Sequence, residues 1–106
     1  MAKPELPASL LGLDKVLHEP ARLSIVGCLW MLEEADFAFL AQQVGLTVGN
    51  LSFHLSKLEE AGFVWIHKTF QGKVPRTTAG LTAEGRALFK TYRKTLSAFL
   101  AALPED

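Results

Sequence analysis

The chain is predicted to be mainly α with a small β-hairpin, an α+β fold in one domain spanning residues 1–106. Three observations carry that prediction. Five stretches show helical periodicity, four of them opening on an N-cap residue and one on a proline. A single β-rich pair of segments, 63–70 and 74–81, surrounds a Gly-containing turn. The two short helical stretches before that pair are separated by only Gly45-Leu46-Thr47. With 106 residues, of which 49% are hydrophobic and 21% charged, the chain can bury a core but has no room for a second one.

Residues 1–8 hold two prolines and read as a flexible arm. Ser9 is a good N-cap for a first helix to His18, with Leu10, Leu13, Val16 and Leu17 at helical spacing. Pro20 suits the first position of a second helix, about 20–34, where its missing N–H is not needed. That helix carries Leu23, Ile25, Val26, Cys28, Leu29, Trp30, Met31 and Leu32 around nearly its whole circumference. Such a helix is buried on several sides, which in so short a chain implies cover from a second subunit as well.

Asp36 caps a third helix, 37–44, with Ala38, Leu40, Ala41 and Val44 along it, and Gly45 ends it. Thr47 caps a fourth, 48–61, whose apolar positions are Val48, Leu51, Leu55, Leu58 and Ala61; Gly62 terminates it. Phe63 to Phe70 is strand-forming, Gln71-Gly72-Lys73 is a turn, and Val74 to Leu81 returns. Pro75 assigns the returning strand to an edge. Thr82 caps a last helix, 83–103, along which Leu88, Tyr92, Leu96, Phe99 and Leu103 recur near a heptad spacing. With Leu10, Leu13 and Leu17 of the first helix, these residues are the expected dimer interface.

Formal net charge is zero, but its distribution is uneven. Residues 1–46 carry three basic against six acidic side chains, and residues 47–94 carry eight basic against three acidic. A local positive field favours phosphate whatever the sum. The single cysteine excludes an intrachain disulfide and a Cys-rich metal site, and a core role for Cys28 is preferred over redox sensing. No long apolar run or signal peptide is evident, so a cytoplasmic protein with no membrane partner is expected. His18 and His67 lack neighbouring ligand types, so no metal or other cofactor is expected. Enzyme signatures are absent as well, with no Gly-rich phosphate loop, nucleophile elbow or His–Glu metal pair.

Two short helices joined by a three-residue turn with glycine, followed at once by a hairpin, have the order of a helix-turn-helix (37–61) with a wing (63–81). Four blocks extend the likeness: Leu17-His-Glu-Pro-Ala-Arg-Leu23, residues Gly45 to Gly62, Lys68-Thr-Phe-Gln-Gly-Lys-Val-Pro-Arg-Thr77 and Leu81-Thr-Ala-Glu-Gly-Arg86. Over residues 10–90 the sequence resembles winged-helix regulators of the ArsR/MarR type, closest to a compact subgroup with little beyond the winged helix. The resemblance implies an intracellular, homodimeric transcription regulator that inserts the 48–61 helix into the major groove of double-stranded DNA. Metal-sensing members carry paired cysteines on the helix before the turn. Phe37 to Val44 has no thiol, so that site is missing.

If Leu51, Leu55 and Leu58 point inward, the opposite face carries Gly49, Asn50, Ser52, Phe53, His54, Ser56 and Lys57. Asn50 can pair bidentately with adenine. His54 can donate to guanine or phosphate, or serve only as a capping or solvent residue. Phe53 can lie on a thymine methyl or at the core edge. Thr47, Ser52, Ser56 and Lys57 suit phosphate oxygens. In the wing, Lys68, Lys73 and Arg76 are placed for the flanking backbone or minor groove, with Arg76 the first choice for groove insertion. Arg22 can contact phosphate or pair with Glu19.

The leading expectation is thus a dimeric repressor reading a palindromic site. The alternative is a winged-helix protein-interaction module without DNA binding of its own. A small-molecule effector between the dimer's helices is compatible with either, and no residue pattern specifies its chemistry.

Overall fold

Side-chain caps begin every element of the α framework. The computed structural model describes residues 9–105, so the expected arm at 1–8 lies outside the described residues. A 3-10 turn (Leu10–Gly12) leads to α1 (Pro20–Trp30), β1 (Ala35–Asp36), α2 (Phe37–Val44), α3 (Val48–Glu60), β2 (Val64–Gln71), β3 (Val74–Leu81) and α4 (Ala83–Ala102). Among the described residues no helix is long and apolar enough to cross a membrane.

The expected first helix is not continuous. Ser9 caps as anticipated, its Oγ accepting from the Leu11 N–H at 3.1 Å, but the helix stops after one 3-10 turn. Asp14 is the reason. Its Oδ1 accepts from the N–H groups of Val16 at 2.8 Å and Leu17 at 3.3 Å, starting a separate turn. A short acidic side chain that bonds nearby N–H groups competes with helix continuation. The irregular path sends Leu13 and Leu17 into the chain's own core, with Leu17 fully buried. That corrects their assignment to a dimer face, because Leu17 has no surface left for a partner.

Glu19, not a small polar residue, caps α1. Its Oε1 accepts from Ala21 N–H at 3.1 Å and its Oε2 from Arg22 N–H at 2.8 Å, and Pro20 takes the first helical position. Burial pushes the Glu19 carboxyl pKa up. The hydrogen bonds from Arg22 and Ala21, with the nearby His54 and Arg22 charges, outweigh that and hold it below the ordinary glutamate value. The capping stability is therefore complete above the ordinary glutamate range and is lost as pH falls through the depressed folded value. Glu19→Ala should cost about 1 kcal/mol at neutral pH, the scale of a lost cap. In urea titrations at falling pH, the gap between wild type and variant should close in acid; a gap independent of pH would refute the assignment.

Helix α1 ends at Trp30, short of the expected residue 34. The chain must extend at Ala35–Asp36 to pair with β3, and residues 31–34 make that change of direction. Ile25, Val26 and Leu29 are fully buried, and Leu23, Cys28, Trp30 and Leu32 pack partly against the same core. The chain's own α2, α3 and β3 therefore supply most of the cover expected from a second subunit, while Met31 stays 78% exposed. Burial raises the Cys28 thiol pKa, which suits a packing residue better than a reactive thiolate.

The sheet is antiparallel in the order β1-β3-β2. The two-residue β1 is too short to announce itself in sequence. It makes β3 the central strand at Thr78 and Ala79, not the edge strand that Pro75 predicts. Pro75 is tolerated because β1 does not reach it, so the side of β3 away from β2 is open there. At the wing tip Gln71 pairs with Val74, and Gly72 takes the positive φ of 66° that a two-residue hairpin loop requires.

Only the first half of α4 packs on the domain. Gly85, Phe89 and Tyr92 are buried, whereas most residues from Arg93 onward are exposed. Tyr92 is 3% exposed, and its hydroxyl lies 2.9 Å from the His18 Nδ1. It is a core residue, which corrects its place in the predicted seam. Leu10 and Leu96 also pack partly against the core, whereas Leu88 and Leu103 remain on the surface at 36% and 43% exposure.

Candidate nucleic-acid interface

The junction between α2 and α3 is built by three residues. Gly45 adopts φ 81°, and both its N–H and that of Leu46 bond the Ala41 carbonyl at 2.9 Å. This is the left-handed helix ending that glycine permits without strain. Thr47 then caps α3, its Oγ1 accepting from the Asn50 N–H at 3.1 Å. Leu51, Leu55 and Leu58 are fully buried, which fixes the rotation of α3 about its axis.

That rotation exposes Thr47, Gly49, Asn50, Phe53, Ser56 and Lys57, and leaves Ser52 half-buried. Phe53 is 56% exposed, so it belongs to the surface and not to the core edge. The Lys57 Nζ sits 5.6 Å from its ring centre, a cation–π contact that keeps an aliphatic chain and a charge on the same face. Val48 was expected among the apolar inward positions of α3. The structure exposes 55% of it, because the first residue of the helix overhangs the turn.

His54 departs from the remaining face. Its ring is half-buried and turned toward the start of α1, with Nδ1 3.2 Å from the Arg22 Nη1 and 3.6 Å from the Glu19 Oε2. Arg22 also donates from Nε to the Val16 carbonyl at 2.7 Å and lies 3.9 Å from Glu19. Of its two sequence readings, the intrachain one describes this arrangement. The cluster ties α3 to α1 and so holds the exposed strip in place.

The wing stands beside this strip. Lys68, Lys73 and Arg76 are all exposed. Arg76 alone of the three has a carboxylate within ion-pair reach among the described residues: its Nη2 is 4.0 Å from the Asp36 Oδ2. Between the wing and α3 runs an open groove of about 410 Å³ lined by Phe37, Ser52, Ser56, Glu59, Ile66 and Lys68. Phe70 and Val74 are 70% and 65% exposed near the tip. Sequence reasoning assigned Phe70 and Val74 no role beyond strand formation. The only available signal was that strand alternation continues beyond the length the core can cover.

The arrangement is a capped helix with a polar and basic outer face, beside a basic two-stranded ribbon. Residues 21–100 match the family described as the winged helix DNA-binding domain. The chain belongs to that family. The winged-helix protein is 40% identical over 79 residues to the uncharacterized protein MJ0432 of Methanocaldococcus jannaschii, covering 74% of this chain and 85% of that one. It is similar in structure to a transcriptional regulator homologue from Pyrococcus horikoshii OT3, with TM-score 0.78 and 31% identity over 83% of this chain and 87% of the other. A MarR family transcriptional regulator from Silicibacter pomeroyi shares the fold, with TM-score 0.66 and 20% identity over 85% of this chain and 59% of that one. Family and fold place the winged-helix protein among DNA-binding transcriptional regulators, not among enzymes.

Proposed function

We propose that the winged-helix protein acts as a homodimeric, sequence-specific repressor that occupies a palindromic site in promoter DNA. The observation that carries this reading is the exposed face of Asn50, Phe53 and Lys57 on α3 together with the exposed cations Lys68, Lys73 and Arg76 on the wing, the two elements sharing the groove lined by Ser52, Ser56 and Lys68. In a major groove, Asn50 would face a base edge and Phe53 a thymine methyl. Thr47, Gly49, Ser52, Ser56 and Lys57 would take phosphates, with the first N–H groups of α3 adding donors. The wing cations would follow the flanking backbone or minor groove. His54 would act indirectly, by holding α3 against α1.

One head offers few base contacts, so two are needed for useful specificity. The projecting half of α4 supports a dimer, because it leaves Leu100 and Leu103 57% and 43% exposed with Phe99 half-buried beside them. Leu88 and Leu96 extend that strip toward the domain.

Selection of bound sequences from a random duplex pool tests the proposal. Inverted half-sites about 10 base pairs apart centre to centre are expected, as for other helix-turn-helix dimers. Affinity should fall steeply with added salt as phosphate contacts release counterions. Enrichment of a single unrepeated half-site would refute the dimeric reading. The exposed apolar Phe70 and Val74 favour a second reading, a protein-interaction module; no retention on heparin or mixed-sequence duplex at low salt would support it.

A further inference from the structure

We infer that Asp36 is a built-in counter-charge for the wing: it holds Arg76 when the protein is free and must release it to phosphate when the wing meets DNA. The inference rests on the DNA-binding reading above and adds a residue that limits how tightly the chain grips DNA of any sequence.

The backbone sets up the contact. Strand β1 pairs with β3 through only two residues, Ala35 with Ala79 and Asp36 with Thr78. Residues opposite one another share a face of the sheet, and Arg76 lies two positions from Thr78 on that same face. A diagonal neighbour is within reach of a long side chain, which places the guanidinium 4.0 Å from the Asp36 carboxylate. The short strand that sequence does not reveal is therefore what brings an acid to the wing.

Asp36 uses its two oxygens differently. Oδ1 accepts from the Phe39 N–H at 2.8 Å and caps α2, while Oδ2 faces Arg76. The cap needs an acceptor, and asparagine or serine would supply one equally well. The negative charge is thus surplus to the cap and is spent on Arg76. Lys68 and Lys73, on the same wing, have no carboxylate within 4.0 Å among the described residues.

The pair is suited to exchange. Its side chains are 45% and 38% exposed, so water and salt screen it and it is weak. A phosphate offers the guanidinium a fuller, bidentate charge-assisted partner. Leaving Asp36 has a cost, because the carboxylate is then unpaired close to the polyanion. The same cost falls on every encounter with DNA, so it restrains sequence-independent binding.

The test uses the full chain on a mixed-sequence duplex, by fluorescence anisotropy at low salt. Asp36→Asn removes the charge and keeps the cap; Asp36→Ser is the second variant should the first fold poorly. Either should bind roughly fivefold more tightly, the scale of one exposed ion pair, with the gain fading as salt rises. In an Arg76→Ala background the same substitution should gain less than about twofold, because no cation remains to be released. An unchanged affinity in Asp36→Asn and Asp36→Ser overturns the inference. So does an equal gain with and without Arg76, which would show only the removal of a repulsive charge. Failure of the wild type itself to bind the duplex would instead overturn the DNA-binding reading, and the inference with it.

Discussion

Gly85→Ala is expected to destabilise the protein by about 3 kcal/mol, the upper range for forcing an extra carbon into packed backbone. The start of α4 is docked on the end of the α3–β2 connection through main-chain atoms. Thr82 N–H donates to the Phe63 carbonyl at 3.0 Å, and the Thr82 hydroxyl donates to the Gly62 carbonyl at 2.6 Å. The same hydroxyl accepts from the Gly85 N–H at 2.8 Å. A Cβ at Gly85 would overlap the Phe63 carbonyl oxygen and lie 2.8 Å from its carbon and 2.9 Å from its Cα. Those are backbone atoms of a residue that is 1% exposed, and no flexible side chain is there to move aside. Relief requires α4 to shift away, which would loosen Phe89 and Tyr92 from the core. Gly49→Ala is the matched control: it is also helical, and nothing lies within 4 Å of its added Cβ. That change should be neutral or stabilising by up to about 1 kcal/mol. Urea unfolding of the two variants decides the matter, and a loss below about 1 kcal/mol in Gly85→Ala would show that the junction adapts.

Sequence-specific DNA binding should disappear when Asn50 and Arg76 are both replaced by alanine. Asn50→Ala removes the bidentate donor–acceptor pair proposed for adenine, at a cost of roughly 1–3 kcal/mol per half-site and twice that in a symmetric dimer. The loss should be confined to sites carrying the preferred base. Arg76→Ala acts differently: it should weaken binding to all sequences alike and lower the salt slope by about one per copy. Both side chains are exposed, and the helix cap at Asn50 uses its main-chain N–H, so folding should be unaffected. Thermal unfolding monitored beside the binding titration separates the two effects. Binding that survives the double substitution at wild-type affinity would mean that the reading surface lies elsewhere.

How far each region could be read from sequence depended on the range of the interactions that shape it. Asp36, Thr47 and Thr82 cap their helices as expected, because each bonds an N–H three residues ahead and needs no distant partner. Gly45 and Gly72 take positive φ for equally local reasons. The inward face of α3 followed from the spacing of Leu51, Leu55 and Leu58 alone. Position-by-position reading failed where two distant segments compete for one residue. Tyr92 fits a heptad seam, yet the fold turns it toward His18. His54 fits the outer face of α3, yet Glu19 and Arg22 draw it inward.

By itself, then, the sequence determined the order of the four helices from Pro20 onward, the helix-turn-helix junction, the hairpin and most of the polar and basic residues carried outward on α3 and the wing. These depend on periodicity, capping and turn chemistry, which act over a few residues. Only the tertiary structure decided that β1 exists, that Leu13, Leu17 and Tyr92 belong to the monomer's core, and that Asp36 stands against Arg76. Each of those outcomes depends on which surfaces meet across tens of residues. A short strand or a single ion pair leaves no local pattern, because its partner is chosen by the packing of the whole chain.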